Sequence, residues 1–233
     1  MKRLMVWVQS SLRRRSALMI MGVMTVLLAG YITYDVISQR IATEDALLAK
    51  GKSMAVGGAA AVSHILEDAI TSGRLSEDQV FDTNYQPITG TNPQKYHTAY
   101  DLFADENFLS IEDSYLQDAD IVFAIAVDRN GYVPTHNSIF SQALTGNAEL
   151  DMANNRTKRI FNDPTGLAAA QNTEPFLRQI YKRDTGETMW DISVPIMVNG
   201  KHWGGFRIGF SLVRVENHLA DVTRAGVIGA LLL

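Results

Sequence analysis

The sequence predicts an α+β protein in which an N-terminal transmembrane helix and a second long helix precede a five-stranded antiparallel sheet with helical cover. Three observations support this prediction. Residues 16–34 contain no charged side chain, apolar residues recur every seven positions between residues 41 and 69, and the apolar period changes from residue 121 onward. These patterns are typical of a membrane helix, an amphipathic helix and strands, respectively.

The composition is that of a folded protein of 233 residues, with 46% hydrophobic and 20% charged side chains. This length allows one large domain or two small ones. The net charge of −4 gives no reason to expect a nucleic-acid partner. The absence of cysteine excludes disulfides, thiolate metal sites, cysteine nucleophiles and thioether-linked haem, and we expect no cofactor.

The N-terminal segment predicts a membrane anchor. Residues 1–34 contain five basic side chains and no acidic one, and the 19 uncharged residues 16–34 match the hydrocarbon layer of about 30 Å as a helix. The positive-inside rule makes residues 1–15 a cytoplasmic basic tail and places residues from about 35 to 224 in the periplasm of a bacterial inner membrane. A cleaved signal peptide is the alternative, but Leu28-Ala29-Gly30 lacks the small residue two positions before a cut.

The C-terminal residues 225–233 are candidates for the start of a second membrane helix. Residues 213–224 are predicted as an exit helix, and the nine apolar residues 225–233 that follow Arg224 are too few to span a bilayer. They are either the hydrophobic end of that helix or, as we favour, the start of a truncated second transmembrane helix. A single extracytoplasmic domain between two membrane helices is typical of a transmembrane receptor.

Residues 35–75 are predicted as one long helix. Its apolar stripe consists of Ile41, Leu48, Ala55, Val62 and Ala69. One part of this stripe should cover the sheet, and the rest should favour a homodimer. Ser76 begins a capping-box pattern, and residues 84–98 are predicted as loop because they are polar and contain two prolines.

The sheet is predicted from an apolar strand at residues 121–127 and from three polar stretches closed by glycine, at residues 129–131, 184–186 and 198–200. A three-residue loop at the last of these sets Ile192 opposite Phe206 and Asp191 opposite Arg207. One face is then apolar: Trp190, Ile192, Val194, Phe206, Ile208 and Phe210. The other face resembles the floor of a pocket and carries Ala124, Ala126, Tyr132, His136, Gln179, Tyr181, Met189, Asp191, Trp203 and Arg207.

Four stretches of this sequence carry a resemblance to a known family: NPQKYHTAYD, GYVPTHNSIFSQALTGN, NRTKRIFNDPTGLAAAQNTEPF and YKRDTGETMWDISVPIMVNGKHWGGFRIGF. Over roughly residues 80–212 the chain resembles the extracytoplasmic sensor region of bacterial methyl-accepting chemotaxis receptors. The resemblance implies a single Cache domain at residues 76–212, with a PAS-like sheet behind a long N-terminal helix. Some relatives carry haem through C-x-x-C-H, a property that does not transfer because this chain has no cysteine.

A ligand site is predicted on the polar face of the sheet. Arg156, on a short helix predicted at residues 155–161, either grips a carboxylate or forms a salt bridge with the acidic segment 101–120. Asp191 and Arg207 are either a cross-strand ion pair or a clamp for a zwitterion. Trp203 and Tyr181 either wall a pocket or cover the sheet. The candidate ligand-binding residues are Tyr132, His136, Arg156, Tyr181, Asp191, Trp203 and Arg207.

The predicted function is a binding module without catalysis. No catalytic motif occurs, and the five histidines lack the spacing of metal ligands. We expect the sensor of an inner-membrane signal-transduction receptor that binds a small anionic or zwitterionic solute, such as an organic acid or an amino acid. The same sensor type can precede a histidine kinase or a diguanylate cyclase. Alternatives are an anchored dimerisation domain without a ligand and, third, a periplasmic enzyme.

Overall fold

The computed structural model describes the backbone of residues 2–183 and 186–231 and the side chains of residues 12–183 and 186–226. The chain divides into two units. The first contains the chain up to residue 46 and from residue 217 onward, and the second contains residues 47–216. Helix α1 (Lys2–Thr71) contributes to both units, so the segments predicted at 16–34 and 35–75 belong to one continuous helix.

The first unit is helical. In its described part, α1 is long and apolar enough to cross a membrane by length and composition, and an 18-residue window within it has a mean hydropathy of 1.9. Side chains of the predicted span are exposed, as with Met19 and Val26 at 72% and 71%. Helix α7 (Leu212–Leu231) contains the predicted exit helix and lies close to α1, since a Cβ on Gly226 would stand 2.9 Å from Cγ2 of Val36. Of the predicted second membrane segment, residues 232–233 and the side chains from residue 227 lie outside the described residues.

In the second unit, α1 covers the apolar face of the main sheet. Its stripe is fully buried at Ala55, Val62 and Ala69, as predicted, whereas Leu48 is half-buried. Two glycines let the sheet approach the helix closely. A Cβ on Gly51 would stand 2.5 Å from Cδ1 of Ile192, and one on Gly58 would overlap the ring of Phe206.

Short helices and small ladders surround the main sheet. The helices are α2 (Glu77–Val80), α3 (Asp101–Asn107), α4 (Leu109–Ser114), α5 (Ala148–Asn154) and α6 (Pro164–Ala170). The strands are β1 (Gln86–Ile88), β2 (Lys95–His97), β3 (Ile121–Asp128), β4 (Tyr132–Val133), β5 (Arg159–Ile160), β6 (Leu177–Lys182), β7 (Thr188–Val198) and β8 (Lys201–Ser211). The main sheet is antiparallel in the order β3-β8-β7-β6, and β1–β2 and β4–β5 form separate ladders. The α+β class is therefore confirmed.

Among the described residues the main sheet has four strands rather than the predicted five. Strand β4 pairs with β5 instead, with Tyr132 opposite Ile160. Asp128 explains the departure because its Oδ1 accepts hydrogen bonds from the backbone N–H groups of Asn130 and Tyr132, both at 2.9 Å. These bonds turn the chain away from β3 directly after its last residue.

The turn between β7 and β8 has two residues rather than the predicted three. Asn199 and Gly200 have positive φ angles of 49° and 74°, as a type I′ turn requires. A β-bulge follows, because Met197 lies opposite His202 whereas Ile196 lies opposite Gly204. The residue that the bulge inserts into β8 is Trp203.

The bulge changes the cross-strand partners but keeps the faces. Ile192 lies opposite Ile208, and Asp191 lies opposite Gly209, so both predicted pairs are wrong. The two-residue turn and the inserted residue together shift the register by two from the predicted one, and a shift of two leaves each side chain on its face. The predicted apolar face of β7 and β8 is therefore right.

Three further predictions are corrected. Ala124 and Ala126 lie opposite Ile208 and Phe206, on the apolar face, because β3 pairs with β8 and not with β4. Residues 84–98 contain the β1–β2 ladder, whose three-residue strands are too short to show a period in the sequence. The short helix is α5, which ends at Asn154, and the segment 155–161 contains β5 instead, because it pairs with β4.

Candidate functional site

A narrow cavity lies on the face of the sheet opposite α1. Strand β3 contributes the apolar floor, Phe123 and Ile125, and Phe161 closes one side directly after β5. Its polar lining comes from four separate parts of the chain: His136, Arg156, Tyr181, Arg183 and Arg207. All three arginines are at least nine-tenths buried, which is rare for this residue type without a specific role.

Arg207 is held by a buried ion pair with Asp191. Its Nε donates to Oδ1 of Asp191 at 3.1 Å, and its Nη2 donates to Oδ2 at 3.0 Å. Because Asp191 lies diagonally across from Arg207, the ion pair forms although the two residues are not direct cross-strand partners. Nε2 of Gln179 also donates to Asp191, at 3.3 Å. This arrangement is the bidentate fork that fixes a guanidinium in one orientation.

Arg156 and Arg183 reach the cavity from its rim. The backbone N–H of Arg156 donates to the carbonyl of Phe140, and its guanidinium stacks 4.8 Å from the ring of Phe161. Arg183 stands 4.6 Å above the ring of Phe140 and contacts Glu187 at 3.3 Å. Each of the two guanidinium groups thus packs against an aromatic ring, and Nη1 of Arg156 also donates to the carbonyl of Met152 at 3.2 Å.

His136 is buried between Phe123 and Phe140, with ring centroids 6.2 Å and 5.1 Å away. Its place is fixed by the next residue, Asn137, whose Oδ1 accepts a hydrogen bond from the N–H of Ala124 on the outer edge of β3. Within the part of the chain that the structure describes, Nδ1 of His136 has no hydrogen-bond partner. Burial, followed by the surrounding arginines, holds the pKa of His136 well below its usual range, so the imidazole is neutral.

The structure brings five of the seven predicted site residues together. His136, Arg156, Tyr181 and Arg207 border the cavity, and Asp191 holds Arg207. The segment 101–120, which was predicted as the alternative partner of Arg156, contacts Lys158. Its Nζ lies 3.4 Å from Asp101 and 2.7 Å from Asp105.

Tyr132 and Trp203 do not line this cavity. Trp203 donates from Nε1 to the carbonyl of Val80 at 2.9 Å and packs edge-on against Tyr100 and Phe108. The hydroxyl of Tyr132 donates to the carbonyl of Tyr96. The prediction that these two residues share a site with Arg207 is wrong, because the bulge removes Trp203 from the alternation of β8 and β4 leaves the main sheet.

The aromatic cluster around Trp203 has its own polar centre, Asp128. This carboxylate accepts hydrogen bonds from the hydroxyl of Tyr85 at 2.6 Å and from that of Tyr100 at 3.1 Å, in addition to its two backbone bonds. Burial raises its pKa, and the hydrogen bonds oppose that rise. Since all four bonds come from fixed groups of the fold, this cluster is a structural node.

Sequence reasoning missed Arg183, Phe123 and Phe161. Arg183 lies two residues after Tyr181, and residues two apart along a strand face the same side of the sheet. The argument that predicted Tyr181 as a site residue therefore applies to Arg183 as well. Ala124 was predicted on the polar face, which placed its neighbour Phe123 on the apolar face, and both assignments are wrong. No local pattern marks Phe161, which reaches the cavity only because β5 pairs with β4.

The cavity is lined mainly by cationic and aromatic side chains. About 260 Å³ of space free of atoms, open solvent included, lies at the site, and its enclosed part has room for about one water molecule. Guanidinium groups and a buried imidazole are donors that favour carboxylates and similar oxyanions. The described residues include no group of three or more side chains placed to hold a metal ion.

Comparisons with known proteins found only structural neighbours. No family model and no curated protein matches the chain. The sensor domain of Escherichia coli DcuS superposes with a TM-score of 0.36 at 22% identity, over 48% of this chain and 72% of that one. The sensor domain of the Vibrio cholerae histidine kinase DctB gives 0.33 at 14% identity, over 74% and 59%. The ligand-binding domain of the Campylobacter jejuni chemoreceptor Tlp3, in complex with L-valine, gives 0.37 at 12% identity, over 78% and 66%. The chain thus spans less than two thirds of the DctB and Tlp3 structures.

Proposed function

We propose that this chain is the extracytoplasmic ligand-sensing region of a bacterial inner-membrane receptor of the chemotaxis type, and that its cavity binds a small anion such as an organic acid. The observation that carries the proposal is the convergence of Arg156, Arg183 and Arg207 with a buried neutral histidine on one cavity. A purely structural face would not need three nearly buried guanidinium groups around an empty space.

The charge balance favours an anion. Arg207 faces Asp191, and Arg183 faces Glu187, whose side chain is 38% exposed and therefore partly screened by water. A third guanidinium, that of Arg156, borders the same space, stacked on Phe161. An anion in this space would approach several guanidinium groups in an environment of low dielectric, where each charge-assisted hydrogen bond is strong.

A zwitterionic ligand is less well supported than an anion. Recognition of an amino group needs a carboxylate, and the lining residues described above include none, whereas Asp191 contacts the lining residue Arg207. Both oxygens of Asp191 already accept hydrogen bonds from Arg207, and Oδ2 also accepts one from Gln179. An ammonium group would have to compete with a buried bidentate pair for this carboxylate.

The receptor part of the proposal depends on the anchor and on the helix. The uncharged segment 16–34 would hold the chain in the inner membrane, and α1 would convey the signal, with a homodimer formed along it. Ligand binding can change signalling only through different affinities for two arrangements of the helix. Outputs through a histidine kinase or a diguanylate cyclase fit the same sensor. An anchored dimerisation domain would require the same anchor but no ligand.

The test is a thermal-shift and calorimetry screen of the full chain in detergent with formate, acetate, oxalate, succinate, glycine and L-valine. We expect one or more of the carboxylic acids to stabilise the protein. Arg156→Gln should weaken that binding by about 1.5–3 kcal/mol, the usual contribution of a hydrogen bond to a charged group. The matched control is Arg178→Gln, which changes an exposed arginine of β6 that stacks on Trp190 outside the cavity.

Two outcomes would contradict the proposal. If no compound of the panel binds, the cavity is not an anion site and the dimerisation alternative gains support. If the carboxylates stabilise the wild type and Arg156→Gln equally, while Arg178→Gln weakens binding, the ligand sits elsewhere on the sheet.

A further inference from the structure

We propose that the cavity takes up its anion together with one proton, which binds to His136. This inference rests on the proposed anion site and deepens it, because it makes the receptor respond to an anion and to acidity jointly. It follows from the position of one buried imidazole and from the charges that surround it.

His136 borders the cavity and carries a buried ring nitrogen, Nδ1, without a hydrogen-bond partner among the described residues. The residue is 2% exposed. A buried polar atom without a partner costs free energy unless something binds to it. The aromatic rings on its two sides, Phe123 and Phe140, offer no acceptor for an imidazolium proton.

The charged groups around His136 come from every element packed against it, and most are cationic. Arg207 projects from β8, Arg183 follows β6, Arg156 precedes β5 and Arg159 is the first residue of β5. Asp191 and Glu187 each contact one of these arginines, and the charge of Asp163 also acts on Arg207. Burial and these four cations hold the pKa of His136 well below its usual range, so the empty site contains the neutral imidazole.

An anion reverses this balance. A carboxylate in the cavity offsets the repulsion of the arginines and supplies an acceptor for a protonated ring nitrogen, so the pKa of His136 is higher in the complex than in the empty protein. A group whose pKa rises on binding takes up a proton between the two pKa values. Affinity must then increase as the pH falls through that interval, by at most about tenfold per pH unit for one proton.

The experiment measures the affinity of the full chain for formate and for oxalate between about pH 5 and pH 8, where both anions keep a constant charge. Calorimetry at one pH in two buffers of different ionisation enthalpy gives the number of protons taken up. We expect the wild type to bind more tightly at the acidic end and to take up close to one proton. His136→Gln, which keeps a hydrogen-bonding group but cannot titrate, should bind with no proton uptake and a flat profile.

The matched control is His202→Gln. His202 is a partly buried histidine outside the cavity, and burial also lowers its pKa, so this variant should keep the slope of the wild type. A pH-independent affinity of the wild type, or equal proton uptake by wild type and His136→Gln, would overturn the proton coupling while leaving the anion site intact. If neither formate nor oxalate binds at any pH, the proposed uptake of a proton by His136 is refuted. The screen with succinate and the other compounds then decides whether the proposed anion site is refuted as well. Should His136→Gln not fold, the buffer comparison on the wild type alone still decides, since zero uptake refutes the coupling.

Discussion

The ion pair between Asp191 and Arg207 makes a stability prediction that can be worked out from its burial. The side chains are 0% and 3% exposed, and two hydrogen bonds of 3.0 Å and 3.1 Å join them. Asp191→Ala leaves a buried guanidinium without its carboxylate, beside two further arginines. Breaking a buried pair on one side costs about 3–5 kcal/mol. For a chain of this size, that loss corresponds to a fall in the unfolding midpoint of about 6–20 °C.

The double variant Asp191→Leu/Arg207→Met separates the charge from the packing. Replacing a buried pair by apolar side chains of similar volume is often neutral or stabilising. We therefore expect the double variant to recover most of the stability that Asp191→Ala loses, while anion binding weakens because Arg207 is gone. Asp191→Asn, which keeps an acceptor for Nε but removes the charge, should fall between the wild type and Asp191→Ala.

Thermal unfolding of the purified full chain, followed by tryptophan fluorescence, provides the measurement. Trp190 and Trp203 are buried in β7 and β8, so their emission reports the opening of the main sheet. A fall of less than about 2 °C for Asp191→Ala would refute the reasoning, because it would mean that Arg207 needs no carboxylate. A double variant less stable than Asp191→Ala would likewise show that the pair contributes net stability.

Two more predictions concern a buried acid and the helix. Glu112 is fully buried, and its Oε1 accepts a hydrogen bond from the N–H of Ala126. Burial raises the pKa of Glu112 well above its usual value. The stability that Glu112 contributes is therefore present at low pH and is lost as the pH rises through this raised pKa. Glu112→Gln should therefore raise the unfolding midpoint more at about pH 8 than at about pH 5, and the exposed Glu106→Gln should not. Ile41→Cys should cross-link two copies of the chain in membranes, because Ile41 is 57% exposed and the chain has no other cysteine. Thr43→Cys lies about 200° around the helix and should not cross-link. Equal cross-linking of the two variants would argue against a dimer along the stripe that contains Ile41.

Short-range patterns were sufficient for part of the fold. The buried stripe of α1 from Ala55 to Ala69 and the apolar face of β7 and β8 follow from periods of 3.6 and 2, which depend only on neighbouring residues. The Ser76 capping box is present as predicted, with both hydrogen bonds made. These features needed no knowledge of which strands are neighbours.

The remaining features depend on pairings between distant segments. Whether β4 extends the main sheet is decided by the hydrogen bonds of Asp128, and the partner of each β7 residue is decided by one inserted residue, Trp203. Arg156 was placed on a helix, but it reaches the cavity because β4 pairs with β5. The sequence therefore predicted four residues that line the cavity, His136, Arg156, Tyr181 and Arg207, but not Arg183, Phe123 or Phe161. Parity predicts which face a side chain occupies and not which segment covers that face.

Strand β8 connects the cavity to the helix through consecutive residues. Arg207 points to the cavity, and its neighbours Phe206 and Ile208 point to the opposite face, where Phe206 packs against α1 at Gly58. Because Gly58 has no side chain, the ring lies against the helix backbone with no intervening group that could absorb a displacement. If an anion bound at the proposed site displaced β8, the contact between Phe206 and α1 would be displaced with it. In that case linkage requires the reverse effect as well, so that an arrangement of α1 favoured by the anion would bind the anion more tightly.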